Sequence, residues 1–127
     1  MIEDPITLAL EKAVAGSAMR HQAILNNIAN INTPNYKRED VNFKEQLSSV
    51  LSNPDTNNNS KLTDKIKNIK PDIITESDTS IRNDGNNVDV DKEMSILAKN
   101  SMEYEYYLSL LTKRLSIIKS VVNEGRR

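Results

Sequence analysis

Among 127 residues the chain holds one histidine, His21, and no cysteine. A metal centre needs three or four ligands, and an activated nucleophile needs a base beside it. With no second histidine and no cysteine to build either, His21 reads as a packing or interface residue on a helix face. Asp84, Asn86, Asp89 and Asp91 superficially suggest a calcium loop. Such a loop requires glycine at its sixth position and a glutamate at its twelfth. Gly85 is misplaced for that, so a turn followed by a helix cap is the better reading. Tyr104, Tyr106 and Tyr107 lack the flanking lysines and arginines of a base-stacking platform. Asn58-Asn59-Ser60 matches a glycosylation acceptor only as any asparagine-rich tract would. There is no glycine-rich phosphate loop, no Ser-His-Asp set and no carboxylate pair in a plausible cleft. The residues therefore point to no catalytic group, no metal, no cofactor and no small-molecule substrate.

Charge is equally uninformative about polyanions. Seventeen basic and eighteen acidic residues leave a formal net charge of -1, with no long-range field to draw the chain to nucleic acid or an anionic membrane. The start, Met1-Ile2-Glu3-Asp4-Pro5, has neither the basic region nor the apolar stretch of a secretory signal. One Phe, no Trp and a mean hydropathy of -0.58 leave little material for a compact globule, and a shape with much surface is expected.

The apolar residues concentrate at the two ends. Asp4 is placed to cap a helix and Pro5 to occupy its first position, where a missing N–H costs nothing. Leu10, Val14, Ala18, Leu25 and Ile28 then recur at helical spacing, which predicts a helix over residues 5–29 with these side chains on one face. Thr33-Pro34-Asn35-Tyr36 should be a tight turn, because proline stops the helix and asparagine tolerates a left-handed backbone. Val41, Phe43 and Leu47 anchor a short extended or helical piece. Residues 52–83 are rich in Asn, Ser, Thr, Asp and Lys with isolated apolar residues such as Ile66, Ile69, Ile73 and Ile74. Such a segment does not offset its ordering entropy alone, and a flexible or partner-ordered loop is expected, with a short strand near 73–75.

The most regular pattern follows. Val90, Met94, Leu97, Ser101, Tyr104, Leu108, Leu111, Leu115, Ile118 and Val122 alternate spacings of four and three, a heptad seam. Asp89, Asp91 and Glu93 at its start and Lys113, Arg114 and Lys119 near its end complement a helix dipole, and Gly125 supplies the stop. A helix over residues 91–123 would be about 50 Å long at 1.5 Å per residue. The predicted architecture is mainly α: two long terminal helices packed as an antiparallel hairpin or coiled coil. The units are 1–37 (helix and turn), 38–89 (extended, partly flexible loop with at most short β segments) and 90–127 (helix). Ile96, Tyr107, Leu110, Ile117 and Val121 widen the stripe beyond what one partner helix covers. Two functions fit such a surface, a subunit of a polymer or a helical adaptor dimer that takes a partner helix in its groove.

The stretch Asn27-Ile28-Ala29-Asn30-Ile31-Asn32-Thr33-Pro34-Asn35-Tyr36-Lys37 resembles the signature of the bacterial flagellar axial proteins, the rod, hook and hook-associated family. The continuation Lys37-Arg38-Glu39-Asp40-Val41-Asn42-Phe43, the segment Asp84 to Met94 and the short chain resemble the family's proximal rod subunit more than its siblings. The family usually has glycine where Asn35 stands, a departure that still permits a positive φ. The resemblance implies export through the flagellar apparatus without a cleaved signal and assembly into a hollow rod at the basal body. Implied partners are copies of the chain, other rod subunits, and flagellar proteins of the membrane ring and near the export gate. It implies subunit contacts at Leu10, Val14, Leu25, Ile28, Asn27, Asn30, Thr33, Pro34, Tyr36 and Lys37, and along the seam at Met94, Leu97, Tyr104, Leu108, Leu111, Leu115, Ile118 and Val122.

Overall fold

The computed structural model describes residues 4–53, 58–79 and 81–126. Its elements run α1 (Pro5–Ala29), β1 (Glu39–Asn42), α2 (Lys44–Leu51), α3 (Asn59–Lys67), β2 (Asp72–Thr75) and α4 (Val90–Glu124). The fold is mainly helical, with α4 packed along α1 and a two-stranded ribbon of β1 and β2.

Both long helices begin where their caps place them. The Asp4 carboxylate accepts from the Thr7 N–H, with Pro5 in the first turn, and the Asp89 side chain accepts from the Asp91 and Lys92 N–H groups. Each cap satisfies donors that have no partner within the helix. The helices are antiparallel. Asp4 meets Arg114 at 2.8 Å, the Asn100 amide donates to the Ser17 carbonyl, and the Asn27 amide donates to Glu93. Because α1 begins at Pro5 opposite residue 114, the last ten residues of α4, about 15 Å of helix, run on beyond it.

The connecting segment departs from the extended loop expected over 38–89. It contains α2 and α3 beside the expected strand, which pairs antiparallel with β1 in the register Val41↔Ile73. The reason lies on α1, whose inward face is Thr7, Ala13, Gly16, Ser17, Ala23, Ile24 and Asn27. These small side chains let other elements approach closely, so Phe43, Thr63, Ile66 and Ile69 are buried within the chain without needing a partner to cover them. At Gly16 a Cβ would sit 2.4–2.8 Å from the Phe43 ring, so only glycine admits it. Asn58 caps α3, and Lys12 of α1 donates to the carbonyls of Lys67 and Ile69 at its far end. Residues 54–57 lie outside the described residues.

The apolar stripe read on α1 is also displaced. Leu10, Val14 and Ile28 are half-buried, and Ala18, His21 and Leu25 are exposed. Helical spacing identifies a stripe but not which neighbour it faces, and the closest packing went to the small-residue face instead. On α4 the two buried side chains are polar, Glu93 and Asn100. Glu93 is thus no surface complement to the helix dipole.

Candidate assembly interface

Two features meet at the site: a polar junction where α1 turns into β1, and a long apolar flank beside it. The junction begins where α1 ends. The Asn30 N–H and its side-chain amide both donate to the Asn26 carbonyl, and Thr33 Oγ1 donates to Asn30 Oδ1. Asn35 has φ +59° and Gly85 φ +81°, and the Asn35 N–H donates to the Asp84 carbonyl at 2.9 Å. The tight turn at 33–36 and the turn at 84–87 are therefore one packed unit. Lys37 Nζ donates to the Thr79 and Gly85 carbonyls. The Asn86 amide donates to the carbonyls of Asn30, Ile31 and Thr33. The Asn87 amide donates to Glu76 O and Thr79 Oγ1, while its oxygen accepts from the Arg38 N–H.

At the centre lies Asn27, fully buried. Its amide donates to Glu39 O at 2.8 Å and Glu93 Oε2 at 3.1 Å, and its oxygen accepts from Glu39 N and the Tyr36 hydroxyl. All four of its hydrogen-bonding positions are used. Arg38, also buried, donates through Nε to Glu93 Oε1 and through Nη1 to Glu76 Oε1 at 2.8 Å, with Asp40 beside it. Burial works against the Arg38 charge, but the Glu93 bond and the carboxylates of Asp40 and Glu76 push its pKa up. Burial pushes the Tyr36 phenol up, helped by Glu39 and Glu93. For Asp40, burial raises the carboxyl, yet the Val41 N–H, Arg20 and Arg38 together hold it below its ordinary value.

The flank runs along the seam of α4. α2, α3 and β1 pack on α1, and the seam stays partly open. There Met94, Leu108, Leu115 and Val122 are 41–52% exposed and Leu25 39%, with Leu97, Tyr104, Leu111 and Ile118 half-buried. Ala18, His21, Ser101, Tyr104 and Glu105 line a groove of about 390 Å³ between the helices. A second, almost wholly apolar cleft of about 270 Å³ opens near the start of α1, between Pro5, Ile6, Leu10, Leu47, Leu51 and Tyr107. Past it the free end of α4 carries Leu115, Ile117, Val121 and Val122, all exposed.

The chain is 37% identical over 121 residues to the flagellar basal body rod protein FlgB of Bacillus subtilis, an alignment that spans 92% of both chains. The chain belongs to the FlgB family of flagellar basal body rod proteins. FlgB of Borrelia hermsii is 31% identical across 83% of this chain and 86% of its own. FlgB of Aquifex aeolicus is 31% identical across 84% and 83%. No protein-family model matches the sequence. For a FlgB-family chain the structure accounts for the signature in physical terms: the motif at 27–37 and the segment at 84–94 are two halves of one hydrogen-bonded junction.

Of the interface residues expected from sequence, Thr33 and Pro34 stand exposed, Asn30, Tyr36 and Lys37 are half-buried, and Asn27 is enclosed. Residue-by-residue reading missed Arg38, Glu93, Asn86, Asn87 and Gly16. Only Gly16 left a signal, a glycine inside an otherwise unbroken helical pattern. Among the described residues no group of His, Asp or Glu could hold a metal ion, and no helix is long and apolar enough to cross a membrane.

Proposed function

We propose that this chain is a structural subunit of the flagellar basal-body rod and that neighbouring subunits cover the open flank of its α1–α4 pair, closing the proximal part of a hollow tube. The observation that carries the reading is the exposure of the seam. Side chains worth about 1.5–3 kcal/mol each when fully buried stand half in water along a 35-residue helix. Contacts of large apolar area are what an open helical polymer requires.

In this reading Leu10, Val14, Leu25 and Ile28 of α1 and Met94, Leu97, Tyr104, Leu108, Leu111, Leu115, Ile118 and Val122 of α4 touch adjacent subunits, with Thr33 and Pro34 at the bend. Asn27, Asn30, Tyr36 and Lys37 shape that bend. The partners are copies of the chain, sibling rod subunits and flagellar proteins next to the rod base. Delivery is through the flagellar export apparatus without removal of a signal segment. The chain works as one unit, its ordered middle segment riding on the two helices.

Leu108→Asp tests this directly. Leu108 is 41% exposed in the single chain, so the helix should tolerate the charge in isolation, whereas a packed interface would not. The purified variant is expected to keep its helicity by circular dichroism while the strain that carries it loses motility and rod assembly. A motile strain would remove the open flank from the assembly contacts.

A further inference from the structure

A heptad seam repeats every seven residues, so apolar packing alone hardly distinguishes one sliding position of a helix from the next. Yet α4 takes up one antiparallel register against α1. The two α4 side chains buried in that contact are Glu93 and Asn100, polar residues in places where leucine would bury more apolar surface. Asn100 even leaves its Oδ1 unpartnered. Glu93 engages both oxygens, one with Arg38 Nε and one with the Asn27 amide. Arg38 is anchored in turn by Glu76 and by its own N–H on Asn87, and Asn27 by the backbone of Glu39.

We infer that the buried Asn27–Arg38–Glu93 set is a positioning device that fixes the sliding register of α4 on α1, and so decides which seam residues the open flank presents. The inference stands on contacts within one chain and needs no assembly. A slide of one turn would pull Glu93 away from both donors and leave two buried polar groups and a charge unpaired. The half-buried seam residues Leu97, Tyr104 and Leu111 would lose little apolar contact, because the next seam residue would take each vacated place.

The test reads register as a distance. The chain has no cysteine, so spin labels attached through Gln22→Cys on α1 and Ser109→Cys on α4, both exposed positions, report the axial offset by pulsed electron resonance in the full-length chain. The parent should give one narrow distance. In Arg38→Met with Glu93→Met, which removes both charges and leaves Asn27 its Glu39 and Tyr36 bonds, a second population displaced by roughly one turn, about 5–6 Å, is expected. In Glu93→Leu with Leu97→Glu the anchor is moved four residues along α4. There the helix should slide until the relocated carboxylate reaches Arg38, and the axial offset should shorten by about 6 Å at 1.5 Å per residue. A helical chain of either kind that keeps the parent distance alone overturns the inference. Loss of helix in both variants also overturns it, since the set would then supply stability and not register.

Discussion

The polar junction and the apolar flank of this FlgB-family chain solve opposite problems. At the junction Asn27, Arg38 and Glu93 are buried and linked through the Glu93 carboxylate, so any change there is felt within the chain. Along the flank Met94, Leu108, Leu115 and Val122 are large, apolar and half in water, so the single chain gains little from them. Hydrophobic burial is additive and undirected, which suits an assembly surface. Buried hydrogen bonds are directional and costly to leave half-made, which suits a single geometry that must not vary. Stability and assembly should therefore respond to different sets of residues.

Four changes sharpen that contrast. Glu93→Ala should have the largest effect on the isolated chain, about 3 kcal/mol in urea denaturation, because it takes from the Arg38 charge its one buried carboxylate and leaves only Asp40 and the exposed Glu76 beside it. A loss below about 1 kcal/mol would mean that water reaches Arg38 readily. Gly16→Ala should cost about 1–3 kcal/mol, the range for overpacking, since the added methyl meets the Phe43 ring. Combining it with Phe43→Leu should recover part of the loss. Met94→Ser, one residue from Glu93 but 52% exposed, should change stability by no more than about 0.5 kcal/mol, and an effect as large as that of Glu93→Ala would dissolve the distinction between the regions.

The smallest effect concerns acid. Asp4 is held below its ordinary value: burial pushes it up, but Arg114 and Thr7 outweigh that. Asp40 is held down in the same sense. A carboxyl with a folded pKa below its unfolded value adds stability that is complete above the unfolded value, near 3.8. That stability fades as pH falls through the folded value, because the unfolded chain then binds more protons. Unfolding midpoints should thus decline below about pH 4, and Asp40→Asn should make the decline shallower. An acid limb unchanged by Asp40→Asn would assign the decline to other carboxylates.

Much of the fold was legible in the chain and some was not. The limits of α1 and α4 followed from local rules: an acidic cap, a proline in the first turn, a glycine stop. The left-handed turn at Asn35 followed likewise, since its φ of +59° needs only a residue that tolerates it and a preceding proline. The strand at Asp72–Thr75 was visible as adjacent isoleucines. α3 was hidden, because its few apolar residues, Leu62 and Ile66, look too sparse to order a segment until α1's small face is there to receive them.

The amino-acid order by itself determined where the helices start and stop and that the ends carry the apolar surface. These are properties of residues within a few positions of one another. The tertiary structure alone decided which face of each helix is inside, that Arg38 and Glu93, 55 positions apart, share one hydrogen bond, and that Met94, Leu108, Leu115 and Val122 of the heptad seam stay exposed. Periodicity reports that a stripe exists, while its direction depends on which distant surface packs most closely, and in this chain that surface is the small-residue face of α1.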